Sequence, residues 1–245
     1  MFISGFILSI AYYPGILSPD VASIYNCAKN FGDINLRSDA HSFLYVILEA
    51  ILFRITDNYY VLTFLMVFLF SVIWGKLIQF LSEQGGSTKS LISLTFIWIS
   101  FPRNMWMMIA TWKDVPFTIC LALLMLLMTK WIFTPKAFEL KKSNYVMLTA
   151  ALFGIATFRS TGQVVVIGIV VLYLILFMKH KVDKKLFMSV LCAIVALIIF
   201  KGPVFKVMQV APTPGGVGLH RCHFWTGCGN AHIKEMNYRR KLLQL

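Results

Sequence analysis

Between Tyr60 and Gly75 the chain runs for sixteen residues without a charged side chain, and between Val115 and Thr129 for fifteen. Extended by their flanks to 59–81 and 115–133, both stretches reach the length of about 20 apolar residues that a membrane-crossing helix needs. A soluble fold has no use for two such segments. The rest of the composition agrees. Of 245 residues, 58% are hydrophobic and only 13% charged, about half of the roughly 25% that a water-facing surface requires. Mean hydropathy is +0.75. The expected fold is all-α: a polytopic bundle of about eight transmembrane helices.

The remaining apolar runs are 1–17, 41–56, 91–112, 145–158, 163–178 and 186–200. No repeat relates them. The N-terminal run lacks a basic flank and a small-residue cleavage site, so it reads as a retained first span rather than a cleaved signal. Residues 1–205 form the expected membrane domain, and 206–245 an atypical polar tail.

Net charge is +13. In a soluble protein this would point to nucleic acid. Here the lysines lie between apolar runs, which instead reads as orientation in a membrane and attraction to anionic lipid; no nucleic-acid partner is expected. Lys130, Lys136, Lys141 and Lys142 mark one cytoplasmic loop, and Lys179, Lys181, Lys184 and Lys185 another. Lys113, Asp114 and Arg159 then fall on the outer side, as does the polar stretch 18–40. If 41–56 goes inward and 59–81 returns, 82–112 must begin and end outside, and a hairpin re-entering near Pro102 would reconcile this. The expected location is a bacterial cytoplasmic membrane, crossed several times.

Residues 18–31 read as a surface helix in the first outer loop. Ser18 suits its N-cap, Pro19 its first turn, and Asp20 its positive end. Val21, Ile24, Ala28 and Phe31 make one apolar face, which would rest in the membrane interface.

Ionisable residues on the outer side are few: Asp20, Asp33, Asp39, His41, Lys113, Asp114 and Arg159. A charge at the bilayer centre costs at least about 2.5–3.5 kcal/mol, and far less at a helix end. Asp20 is the leading catalytic candidate, as a general base or as an oxygen ligand for a divalent cation. Its plain alternative is an acid favoured by a helix N-terminus. Asp39 and His41 open the second run and are either phosphate-binding groups or interfacial caps. Lys113 and Asp114 either mark the interface or hold a phosphate and a sugar. Arg159 offers bidentate phosphate binding, or is one part of a polar hairpin. Glu49, inside the run 41–56, is a functional candidate or a protonated group hydrogen-bonded between helices.

Cys120 and Cys192 lie in apolar runs and read as core filler. From Ala211 the apolar pattern ends. Pro212–Gly216, Cys222–Cys228 and Arg239–Lys241 follow, which reads as a truncated or out-of-register product. Cys222, His223, Cys228 and His232 do not have a zinc-finger spacing, and no metal site is expected there.

Four landmarks carry a resemblance: Tyr13–Asp20 (YPGILSPD), Asp39–Tyr45 (DAHSFLY), Trp112–Phe117 (WKDVPF) and Phe158–Gly162 (FRSTG). In this order they resemble the GT-C superfamily of membrane glycosyltransferases, and within it a bacterial branch of polytopic proteins. Where such enzymes often carry His-Pro, this chain has His41-Ser42. The resemblance covers roughly residues 10–205. It implies transfer of a sugar from a polyprenyl-phosphate carrier, a lipid-linked donor, to an acceptor at the outer membrane face. Asp20 would then be the base or acceptor-orienting carboxylate, and Asp39, His41, Lys113, Asp114 and Arg159 substrate-binding groups. An inactive fragment of such an enzyme fits the same landmarks. The competing classes are a transporter or flippase, with Glu49 and the broken run 91–112 lining a path, and a non-catalytic membrane subunit.

Overall fold

A computed structural model describes residues 2–13, 19–34, 37, 39, 41–56, 60–178 and 184–211. Ser18, Lys179, Lys181 and everything after Ala211, including Cys222, His223, Cys228 and His232, lie outside these. For Asp20 the backbone is described and the side chain is not. All described elements are helices: α1 (Phe2–Ala11), α2 (Pro19–Lys29), α3 (Phe43–Ile55), α4 (Tyr60–Glu83), α5 (Thr88–Ser100), α6 (Pro102–Ile109), α7 (Asp114–Phe133), α8 (Pro135–Glu139), α9 (Lys142–Phe158), α10 (Ser160–Met178), α11 (Lys184–Ile199) and α12 (Phe205–Val207), the last two joined by a π turn at Phe200–Val204. Four segments, Tyr60–Glu83, Asp114–Phe133, Ser160–Met178 and Lys184–Val207, are each long and apolar enough to cross a bilayer. The chain is a helical membrane protein.

Side-chain contacts give the direction of each helix. Lys130, near the end of α7, lies over the Phe80 ring near the end of α4 at 5.9 Å. So α4 and α7 run the same way. Trp74 of α4 meets both Thr95 and Trp98 of α5, which returns antiparallel. Arg159 at the end of α9 reaches Asp114 at the start of α7, so these two are antiparallel. Phe177 of α10 stacks on Phe187 of α11 at the end where the lysines gather. One end of the bundle thus carries Lys76, Lys89, Lys130, Lys141 and Lys184, and the other carries Asp39, His41, Asp114 and Arg159.

This settles the puzzle over 82–112. Because α4 runs toward the lysine-rich end, α5 and α6 together make one return, not a hairpin. Pro102 breaks that return, since it has no N–H to offer the carbonyl of Trp98. The side-chain amide of Asn104 supplies the missing bond, donating to Trp98 O at 3.1 Å. The freed backbone group is satisfied inside the protein, as a kink at membrane depth requires.

A second correction concerns 41–56, which counts as one of the eight expected spans. This segment is α3, and it does not traverse the bundle. Its start is tied to Thr157 and Thr111, and Thr56 is only four residues from Tyr60, all at the same end. Tyr45, Val46 and Ala50 of α3 join Leu62 and Met66 of α4 and Val115 and Ile119 of α7 in one buried cluster. With α2, α3 forms a cap over that end. The apolar face expected of α2 exists: Val21, Ile24 and Ala28 are buried. It is spent on protein, however, not on lipid. Tyr25 packs edge-on against Phe53 of α3 at 5.0 Å.

The central helix is α9. Leu148, Ala151, Leu152 and Ile155 are fully buried, clustered with Leu124 and Leu127 of α7, Val166 and Tyr173 of α10, and Val190 and Ala193 of α11. At Gly154 the backbone of α9 comes so close to α7 that an added Cβ would meet the Cys120 thiol. Cys120 therefore fills the core as expected. Cys192 does not: it is exposed on α11. Gly154→Ala should destabilise the bundle by about 1–3 kcal/mol through overpacking. Adding Cys120→Ala should restore part of that loss, and denaturation of the single and double variants in detergent measures the coupling.

Candidate functional site

The end that carries Asp39, His41, Asp114 and Arg159 is assembled from the starts and ends of helices. Arg159 caps the C-terminus of α9 with extended backbone, and Ser160 already begins α10. The turn is therefore a single residue, with Ser160, Thr161 and Gly162 already in the first turn of the next helix. Gly162 makes this possible, because a Cβ there would collide with the carbonyl oxygen of Ile155 and crowd the Phe117 ring.

The tight turn aims Arg159 at α7. Its Nη1 lies 3.0 Å from Asp114 Oδ1, and its guanidinium lies over the Phe117 ring at 5.9 Å. Asp114 and Phe117 are one turn apart on α7, so one face of that helix holds the arginine at two points. The pair is 44% and 36% exposed. It is open enough for a ligand to compete for the guanidinium, and water screens much of its attraction. Lys113, the residue before α7, is half-buried and has no ion pair among the described residues.

Two buried hydrogen bonds fasten the second landmark to the residues just before the third and fourth. Ser42 accepts from Tyr45 N at 3.3 Å, capping α3, and donates to Thr157 O at 2.9 Å. Proline at this position could do neither, so the departure from His-Pro has a structural role. Tyr45 donates its hydroxyl to Thr111 O at 2.8 Å. The segment Asp39–Tyr45 is thereby held between the end of α9 and the approach to α7.

His41 sits just before Ser42, with Nε2 3.2 Å from Ser23 Oγ of α2. Asp20 is one helical turn ahead of Ser23, which brings its backbone to the same end. Asp39 pairs with Lys201 of the π turn at 3.6 Å. Its backbone N–H donates to Ala211 O, while Ala211 N–H donates to Arg37 O. The Arg37 guanidinium donates to Met208 O at 3.0 Å and lies over Phe31. Residues 201–211, the first of them in the membrane domain and the rest opening the expected tail, are thus part of the same end.

The structure brings Asp114 and Arg159 into direct contact and ties Asp39 and His41 to the same layer. Ser23, Ser42, Tyr45 and Lys201 were not read as site residues. Tyr45 and Ser42 stand inside a recognised landmark, which was the available signal. Ser23 and Lys201 have no such signal. Glu49, expected mid-span, is 1% exposed within α3 of the cap. Among the described residues no three His, Cys, Asp or Glu side chains gather as a metal site.

Neither a protein-family profile, nor a characterised protein, nor a solved structure matches the chain.

Proposed function

We propose that the chain is a multi-pass protein of a bacterial cytoplasmic membrane and a GT-C-like glycosyltransferase. In this reading it moves a sugar from a polyprenyl-phosphate carrier to an acceptor at the outer face. The observation that carries the reading is the Asp114–Arg159 contact, made by two helices at the end where Asp39 and His41 also stand. The six traverses of this arrangement are α4, the α5–α6 pair, α7, α9, α10 and α11–α12, with α1 beside the outer half of α4. The cap of α2 and α3 lies at the outer surface.

Transfer would proceed by simple bookkeeping of one bond. The acceptor hydroxyl gives its proton to the Asp20 carboxylate. Its oxygen bonds to the anomeric carbon as the bond from that carbon to the phosphate oxygen breaks. Polyprenyl phosphate leaves with one more negative charge, which Arg159 and Lys113 neutralise. Asp39, His41 and Asp114 orient sugar and phosphate. A divalent cation held by Asp20 is compatible with this scheme.

The transporter reading drew on Glu49 and the broken helix. Glu49 lies in α3, which is part of the cap and does not traverse the bundle, and Asn104 closes the break at Pro102. Both observations favour the enzyme. The test is sugar transfer from a polyprenyl-phosphate donor by the purified chain in vesicles, beside Asp20→Asn. A loss of about 10²–10⁴-fold in the variant is expected of a missing general base. Equal turnover would remove Asp20 from the mechanism, and no turnover by either protein with a panel of donors would end the proposal.

A further inference from the structure

A second feature lies at the opposite end from the candidate site. Between α4 and α5, beside the Trp74–Thr95 contact, lies a groove of about 640 Å³. Gly75, Leu91, Ile92 and Phe96 make its apolar wall, and Gln79, Ser82 and Thr88 its polar end. Ile92 is 64% and Phe96 70% exposed, so the groove faces the surroundings of the bundle. An added Cβ at Gly75 would meet no atom within 4 Å. The glycine leaves a notch that the protein does not fill.

We infer that this groove holds one acyl chain of an anionic phospholipid from the inner leaflet, with the headgroup at its polar end. Three observations select that occupant. The first is length. From Thr88 to Ile99 the groove follows α5 for twelve residues, about 16 Å at a rise of 1.5 Å per residue. That is close to half of the roughly 30 Å hydrocarbon thickness, the depth of a single leaflet. The second is polarity, which changes along the groove as it does along a lipid: hydroxyl and amide groups at the end, hydrocarbon beyond. The third is charge. Lys76 follows Gly75 and Lys89 follows Thr88, both exposed, and Lys130 lies over Phe80 nearby. Against these three cations stands one carboxylate, Glu83, already bonded to Gln79 at 2.9 Å. A zwitterionic lipid gains little from such a rim, while an anionic one gains from each cation. The inference rests on the proposed orientation but not on sugar transfer.

Trp74 and Trp98 pack against each other beside the groove, and with Trp106, Trp112, Trp131 and Trp225 replaced by phenylalanine in every form tested they supply the readout. The full chain is placed in phosphatidylcholine vesicles containing either dibrominated phosphatidylglycerol or dibrominated phosphatidylcholine, both of which quench tryptophan on contact. The anionic probe should reach half-quenching at a several-fold lower mole fraction than the zwitterionic one. Gly75→Phe, which fills the notch, should abolish that difference. The pair Lys76→Gln and Lys89→Gln, both exposed and safe for folding, should erase the preference while leaving general quenching intact. Equal quenching by the two probes in the parent chain overturns the inference. So does a preference that survives the lysine pair, or a groove shielded from both probes by a cross-linkable second copy. None of these outcomes depends on whether the chain transfers sugar.

Discussion

Replacing Arg159 with glutamine is expected to cost about 10²–10³-fold in transfer activity, the loss that follows removal of one charge-stabilising group from a reacting centre. The fold should barely respond. The Asp114–Arg159 pair is 44% and 36% exposed, and exposed ion pairs contribute only about 0–1 kcal/mol. Lysine in the same place should rescue little, because it cannot offer two parallel N–H groups to a phosphate or stack flat on the Phe117 ring. Transfer assays beside thermal denaturation separate the two effects. A variant that keeps its activity would show that Arg159 does no more than pin α9 to α7. A variant that loses both activity and stability would show the same by another route, and both results count against a phosphate-binding role.

The largest effect on stability should come three residues later. Gly162→Ala places a Cβ on the carbonyl oxygen of Ile155, and neither group can move without shifting a helix. Ordinarily alanine stabilises a helix by about 1 kcal/mol over glycine. Here that gain is expected to be overwhelmed, with a net loss of about 3 kcal/mol or more, in the range that signals a severe packing conflict. Gly154→Ala is the useful contrast, because its obstacle is the end of a side chain that Cys120→Ala removes. No second substitution of that kind exists for a backbone carbonyl. If Gly162→Ala unfolds at the same denaturant concentration as the parent, the close approach of α9 and α10 is not as described. Because Arg159 leaves the same turn, a tolerated bulkier residue at 162 should also loosen the guanidinium from Phe117.

Helix positions are legible in the sequence wherever the surroundings repeat the local pattern. The run 115–133 becomes α7 at Asp114–Phe133, and 59–81 becomes α4 at Tyr60–Glu83. What apolarity does not encode is the solvent of each face. Residues 41–56 are as apolar as a span because α3 is buried on one side by α2, α4, α7 and α9. Protein and lipid ask for the same side chains there, so the segment reads as a crossing. Once it is miscounted, the direction of α4 inverts and a hairpin has to be imagined at Pro102. The direction of α4 is set by contacts such as Lys130 on Phe80, fifty residues apart, which no local pattern records. The site is legible to the same extent. That charged groups collect at one end follows from the cost of placing them anywhere else. That Asp114 meets Arg159, and Asp39 meets Lys201, follows only from how the helices return.

The bridge between residues 37–39 and Ala211 bears on the order in which the protein is made. Arg37 waits for Met208, 171 residues later, which is about 10–35 s of synthesis at about 5–20 residues per second. During that interval α2 and α3 have emerged, yet Asp39 lacks both Lys201 and the backbone of Ala211. The ties from Asp39 to Lys201 and Ala211 therefore cannot form until α11 has been threaded. A ribosome that stalls before residue 201 leaves residues 37–39 without these partners. The latch ties α11 and the π turn to residues 37–39, so that segments far apart in the chain complete one charged end together.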